Sequence, residues 1–350
     1  MSRKRPAAVI AVAILVAIAA TAAQGRLAAG IYNVHPLVAD SGGTTNDASL
    51  VNSWGLSAGP TTPWWSANNG TNTSTLYSGT GSKIALTVNV PGAPTGTVFN
   101  GNAADFAVSE SGKTGSARFL FATEAGTILG WTPSVDAATA IAGVTTPGAV
   151  YKGLATANDR LYATDFHNGR VDVFDASFKP VTTSGGFKDP KVAKGFAPFG
   201  IQALGGDIFV TYAKQDAAKK DDVAVPGQAY VDEFSPDGAL VRSVVNSGKK
   251  NAPLNAPWGL AMAPTDFGSF AGDLLVGNFG NGRISAYAQN GSKWVYKGQL
   301  RLADGTPIAI DGLWAIAFGN GAAAGPTNTL YFLSGPSDEK HGLYGSITVG

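Results

Sequence analysis

The chain has 350 residues, 46 of them Gly and 19 Pro, with 44% apolar and only 14% charged residues. That composition fits one large all-β domain with many turns and enough apolar content for a core. It contains no Cys, which excludes disulfides, thiolate catalysis and Cys-ligated zinc.

Ser2-Arg3-Lys4-Arg5 precedes fourteen apolar residues, Ala7 to Ala20, and then the small residues Thr21-Ala22-Ala23. This pattern predicts a secretory signal peptide over residues 1–23, cleaved before Gln24, with residues 24–350 as a single mature domain in a periplasm or outside the cell. The alternative, a membrane anchor, needs about 20 apolar residues to span a bilayer. Loss of Arg3, Lys4 and Arg5 would leave 22 basic against 24 acidic side chains. So balanced a charge disfavours nucleic acid as a partner, because phosphate recognition rests on a basic surface.

Along the rest of the chain one pattern recurs: an aromatic-small-aliphatic segment, then two short strands joined by a polar turn. The segments are Trp54-Gly55-Leu56, Phe106-Ala107-Val108, Phe199-Gly200-Ile201, Trp258-Gly259-Leu260 and Trp314-Ala315-Ile316, with Lys152-Gly153-Leu154 in the remaining place. The hairpins are clearest at residues 161–174 and 274–287, which both carry Asn-Gly-Arg at the turn, where Asn and Gly are expected to supply positive φ. Further copies lie at 119–131, at 208–212 with 229–234, and at 330–333 with 343–347; 64–70 with 75–77 is a looser one. Repetition at about 50 residues without helical periodicity predicts a six-bladed β-propeller. A WD40 variant is disfavoured, since the chain has neither a Gly-His nor a Trp-Asp dipeptide.

Residues 181–186 and 300–305 follow their hairpins and are expected to form outer, fourth strands. The last unit ends at Gly350 without one, so residues 31–39 are expected to complete it and remove the exposed sheet edge. Asn52, Asn68, Asn102, Asp105, Glu124, Asp165, Asn278 and Asp311 are expected on one face. Two expanded hairpins, 214–228 and 334–342, should emerge there as well, and insertions mark the working face of repeat proteins.

Tyr212-Ala213-Lys214-Gln215-Asp216, Asp221-Asp222-Val223, Asp311-Gly312-Leu313-Trp314, and Gly335-Pro336 through His341-Gly342-Leu343-Tyr344-Gly345 resemble the signatures of an exported bacterial propeller family. That family is distantly similar to NHL-repeat and gluconolactonase-like propellers. The resemblance spans nearly all of the chain beyond Ile31, and it implies fold and export without an activity.

Two functions compete. In the first, the protein binds or scaffolds an extracytoplasmic protein or small molecule through Lys214, Gln215, Asp216, Asp221, Asp222, Asp338, Glu339 and His341. In the second, Glu124, Asp165, Asn278 and Asp311 converge on the axis around one Ca²⁺ or Mg²⁺, for which oxygen donors are suited, in a hydrolase or lactonase. Turn chemistry alone also accounts for such residues. His341, beside Asp338 and Glu339, is the candidate acid–base group, although no obvious nucleophile accompanies it. Trp54, Trp258 and Trp314 would either stack on a ligand or wedge between blades. Arg170 and Arg283 would either contact a ligand or bridge to a carboxylate of the frame.

Overall fold

The computed structural model describes residues 30–43, 45–247 and 253–350; the predicted signal peptide lies outside them. The described chain is all-β, with helical turns only at Asn69–Thr71, Gly268–Phe270 and Pro336–Glu339. It runs as successive antiparallel meanders in a propeller-like arrangement, in which each innermost strand leads into a hairpin. Ser53–Ser57, Trp64–Asn68, Thr73–Tyr77 and Lys83–Asn89 are neighbours in that order. A single parallel bridge between Asn89 and Thr139 joins them to Pro94–Phe99, Phe119–Thr123, Thr127–Thr132 and Asp136–Thr145.

The repeated hairpin at Arg160–Asp165 and Arg170–Asp175 pairs in unbroken register, from Arg160 opposite Asp175 to Asp165 opposite Arg170. Its turn departs from expectation. Gly169 has φ +66° and the matching Gly282 has φ +68°, but neither preceding Asn is left-handed. The four residues between the strands leave Asn168 free to donate its side-chain amide to Asp165 Oδ2 at 2.6 Å.

Small residues let the innermost strands approach one another closely. A Cβ at Gly200 would lie 2.0 Å from Trp258 O, and one at Gly259 would lie 2.7 Å from Trp314 O. Gly55 meets the backbone of Thr95 and Thr97 in the same way, Gly96 meets Leu154, and Gly153 meets Ile201. These contacts correct one expectation: Pro94–Phe99, not Phe106-Ala107-Val108, is the innermost strand of its meander. Val108 instead belongs to a separate two-stranded hairpin, Ala107–Glu110 with Lys113–Ser116. Thr95-Gly96-Thr97 has no aromatic residue to announce it.

The outer strands are corrected as well. Lys293–Gln299, not residues 300–305, pairs outside Ile284–Asn290, and the sheet containing Arg170–Asp175 has three strands. The N-terminal segment does join the C-terminal strand. Tyr32–Ala39 runs antiparallel to Leu343–Val349, with Tyr32 opposite Val349 and Ala39 opposite Leu343.

Apolar clusters fill the spaces between sheets, and a central one gathers Trp54, Phe166, Phe199, Trp258 and Trp314. Trp314 stacks between Trp54 and Phe279, with ring centroids 3.4 and 3.9 Å away. Trp258 and Phe199 meet the Trp54–Trp314 pair edge-on. Both arrangements suit the aromatic quadrupole, and each such pair adds about 0.5–1.5 kcal/mol beyond area burial. All three Trp residues are buried and pack the frame. Further along the innermost strands, Leu56, Leu154, Ile201, Leu260, Ile316 and Phe318 help line a cavity of ≈ 270 Å³ that also touches Trp258.

Candidate functional site

Lys152 opens the innermost strand Tyr151–Ala157, where the corresponding strands carry Trp54, Phe199, Trp258 or Trp314. Its side chain is fully buried, at 0% exposure, with the ammonium 4.6 Å from the centre of the Trp54 ring. An ammonium in that position needs compensating charge. Glu124 Oε1 accepts from Nζ at 2.5 Å, and Asp221 Oδ1 accepts at 3.1 Å. Glu124 comes from the turn after Phe119–Thr123, and Asp221 from the expanded hairpin. Lys220 approaches Glu124 Oε2 at 3.8 Å, and Asn69 Nδ2 donates to the same oxygen at 3.5 Å.

Two more carboxyls feel this ammonium. Burial pushes Asp222 up to about 7 against the pull of Lys152, and Glu339 pushes it in the same direction. Asp222 Oδ2 is buried without a hydrogen-bond partner in the protein. Burial also raises Glu339, which Lys152 and a hydrogen bond from Asn52 oppose. Asn52 has φ +46°, and its Oδ1 accepts from both Trp54 Nε1 and Trp314 Nε1 at 3.1 Å. Segments 214–228 and 334–342 thus approach one centre, where Glu124 and Asp221 contact the Lys152 ammonium and Asp222 and Glu339 lie near enough to feel its charge.

The other sequence-based candidates divide. Lys214 is exposed, and Gln215 Nε2 donates to the carbonyls of Phe166 and His167, pinning the hairpin to the neighbouring sheet. Asp216 closes its own turn by accepting from Lys220 N at 2.9 Å. Asp338 is exposed, with φ +54°. His341 does not pair with Asp338 or Glu339 as expected; its Nδ1 lies 2.8 Å from Asp40 Oδ2. Ser41 Oγ lies 3.5 Å from that same nitrogen, so Ser, His and Asp do not form a relay across the ring.

The four axial metal candidates do not come together. Glu124 is engaged by Lys152. Fully buried Asp165 accepts from Val150 N and Asn168 N at 3.2 Å and faces Arg170 at 3.4 Å. Asn278 bonds Asn255 N and the carbonyls of Val276 and Arg283, and Asp311 accepts from Ser337 N. Among the described residues, no group of three or more His, Asp or Glu is placed to hold a metal ion. Arg170 is likewise part of the frame, bound to Asp172 Oδ1 at 2.6 Å. Asn102 and Asp105 leave the expected face, because the strand before them is Pro94–Phe99. They lie near the Asn158-Asp159 turn, with Asn102 Nδ2 3.5 Å from Asp159 Oδ1. Lys152 was missed as a functional residue. Its signal was a charge standing where every other marker segment is aromatic.

The uncharacterized protein R648 of Acanthamoeba polyphaga mimivirus is 31% identical to this chain over 318 residues, 86% of this chain and 76% of its own length. The chain belongs to the family of this viral protein. The expected kinship with exported bacterial proteins is corrected accordingly: this relative is viral. No known protein-family model matches the chain. Among solved structures, the apo soluble aldose sugar dehydrogenase of Escherichia coli superposes with TM-score 0.56 at 13% identity, covering 91% of this chain and 100% of the enzyme. A luciferin-regenerating enzyme gives TM-score 0.52 at 15% identity, covering 91% and 95%. At such identities the likeness is one of fold, and the fold is propeller-like.

Proposed function

We propose that this protein is an extracytoplasmic binding protein that captures a small polar ligand on the face formed by residues 214–228 and 334–342, above Lys152. The observation that carries this reading is the contact of Asp221 with one buried ammonium from the frame, with Asp222 of the same insertion and Glu339 of the other near enough to feel its charge. Carboxyls outnumber ammonium groups there, which favours a ligand bringing positive charge or several hydroxyl donors. Export rests on the residue 2–23 pattern, and mass spectrometry of the natively produced protein should find an N-terminus at Gln24.

The frame is, in this reading, a six-bladed propeller closed by Tyr32–Ala39. Its support is the chain of close approaches from Gly55 through Gly96, Gly153, Gly200 and Gly259 to Trp314, which stacks on Trp54.

The test is a thermal-shift screen of alkyl amines, polyamines and aldoses against the full chain, followed by alanine replacement across Lys214 to Asp222. Loss of the response in the replaced protein, and in Asp221→Asn alone, is the expected result. A ligand that binds both variants as tightly as the parent would sink the proposal.

A second function, general acid–base hydrolysis of a lactone or ester, is favoured by one observation. Asp222 combines an unpartnered buried oxygen with a pKa of about 7, where a general base works best. It predicts turnover of glucono-δ-lactone or p-nitrophenyl acetate that rises through pH 7 and disappears in Asp222→Asn. Activity unchanged in that variant would exclude it.

A further inference from the structure

Away from this face, the sheet containing Ala229–Phe234 holds a polar pocket inside an apolar layer. Asp232 is fully buried at 0% exposure, yet neither of its carboxylate oxygens has a hydrogen-bond partner in the protein. Asp189 Oδ2, Tyr212 Oη and Ser243 Oγ share that condition. Strand geometry collects them. Asp232 sits opposite Ser243 on one side and Val210 on the other, so Tyr212, two residues from Val210, shares its face. A bulge between Val231 and Asp232 sets that pairing. Asp189 enters from the loop before Phe196–Leu204, where Oδ1 accepts from Lys191 N at 2.8 Å, leaving Oδ2 free.

These groups interact. Burial raises the Asp232 carboxyl most, the charge of Asp189 raises it further, and Ser243 and Lys191 act the other way. Burial pushes the Tyr212 phenol well above its ordinary range, and both carboxylates add to the shift. The surroundings are apolar: Tyr162, Val171, Phe187 and Ile208 belong to the same cluster as Tyr212. Each unmet buried oxygen carries an uncompensated desolvation cost, and a charged one carries more. Five together make a donor set that needs a positive partner. It comprises two carboxylates and two hydroxyls, with neither imidazole nor thiolate, and such hard oxygens match Ca²⁺.

We propose that Asp189, Tyr212, Asp232 and Ser243 form a cation site, selective for Ca²⁺, that ties the 176–195 loop to the sheet behind it. The site is separate from the Lys152 centre and from the axial arrangement of Glu124, Asp165, Asn278 and Asp311. Its ion would act structurally, replacing the missing hydrogen bonds of Asp232.

The experiment compares melting of the full chain in EDTA and in CaCl₂, and titrates Tb³⁺ as a luminescent Ca²⁺ probe sensitised by Tyr212. Expected are a higher Tm in CaCl₂ and a saturable Tb³⁺ signal that CaCl₂ displaces. Asp232→Asn should lose both responses, Ser243→Ala should weaken the Tb³⁺ signal, and Glu124→Gln should keep both. If CaCl₂ and EDTA leave the parent Tm unchanged, or Asp232→Asn responds as the parent does, the site does not bind a cation. A rise lost in Glu124→Gln but kept in Asp232→Asn would move the ion to the Lys152 centre and overturn the assignment equally.

Discussion

Lys152 and Glu124 are joined at 2.5 Å between adjacent sheets, and the side chains are 0% and 12% exposed. In such a buried pair, removing one partner strands the other, whereas removing both can be nearly neutral. Lys152→Met should therefore destabilise the protein by about 3–5 kcal/mol, and adding Glu124→Gln should restore most of the loss. Urea denaturation of both variants measures this. An equal loss in the double variant would mean that Lys152 acts through packing on Trp54 instead.

Asp222 makes stability depend on pH with a definite sign. Burial lifts its carboxyl from 3.8 to about 7, so between those values the folded chain holds more proton than the unfolded one. Its contribution is fully present below 3.8 and is lost as pH rises through about 7. Asp222→Asn should flatten the fall in Tm across that window, read by differential scanning fluorimetry in constant ionic strength. A parent Tm that climbs through the window, with the variant parallel to it, would contradict the assignment.

The close approaches of the innermost strands are equally exposed to test. Gly200→Ala would drive a Cβ to within 2.0 Å of Trp258 O, which is backbone and cannot rotate away. A loss of about 1–3 kcal/mol or more is expected, typical of overpacking. Ala315→Gly, at the corresponding place before Ile316, should cost only about 0.5–1 kcal/mol from added chain freedom. Equal losses at the two positions would argue against backbone contact as the cause.

Deleting residues 30–39 should strip the ladder partner from Leu343–Val349 and also disturb Asp40, which holds His341 Nδ1 at 2.8 Å. An open strand edge invites pairing with other chains. The truncated protein should melt lower and aggregate, as seen by light scattering. A monomeric product with the parent Tm would mean that this strand contributes little.

Much of this frame was legible because hairpins advertise themselves twice, through alternating apolar residues and through the punctuation between them. Leu161–Phe174 and its copy at 274–287 carried both signals, and the meeting of segments 214–228 and 334–342 followed from where their hairpins point. Thr95-Gly96-Thr97 was illegible because Thr fills the aromatic position, and Phe106 nearby imitated the missing marker. The polar centre was hidden for a related reason. Lys152 compensates its charge with Glu124 and Asp221, which lie 28 and 69 positions away, and no local pattern connects them. The Asp232 site was hidden in the same way, behind an ordinary strand sequence.

The stacked Trp54, Trp314 and Phe279 rings have a consequence for the ammonium beside them. Lys152 Nζ sits 4.6 Å above the Trp54 ring, whose centroid is 3.4 Å from that of Trp314, with Phe279 3.9 Å from Trp314 in turn. One side of the ammonium is therefore closed by aromatic rings, and its charge is answered from the side of Glu124 and Asp221.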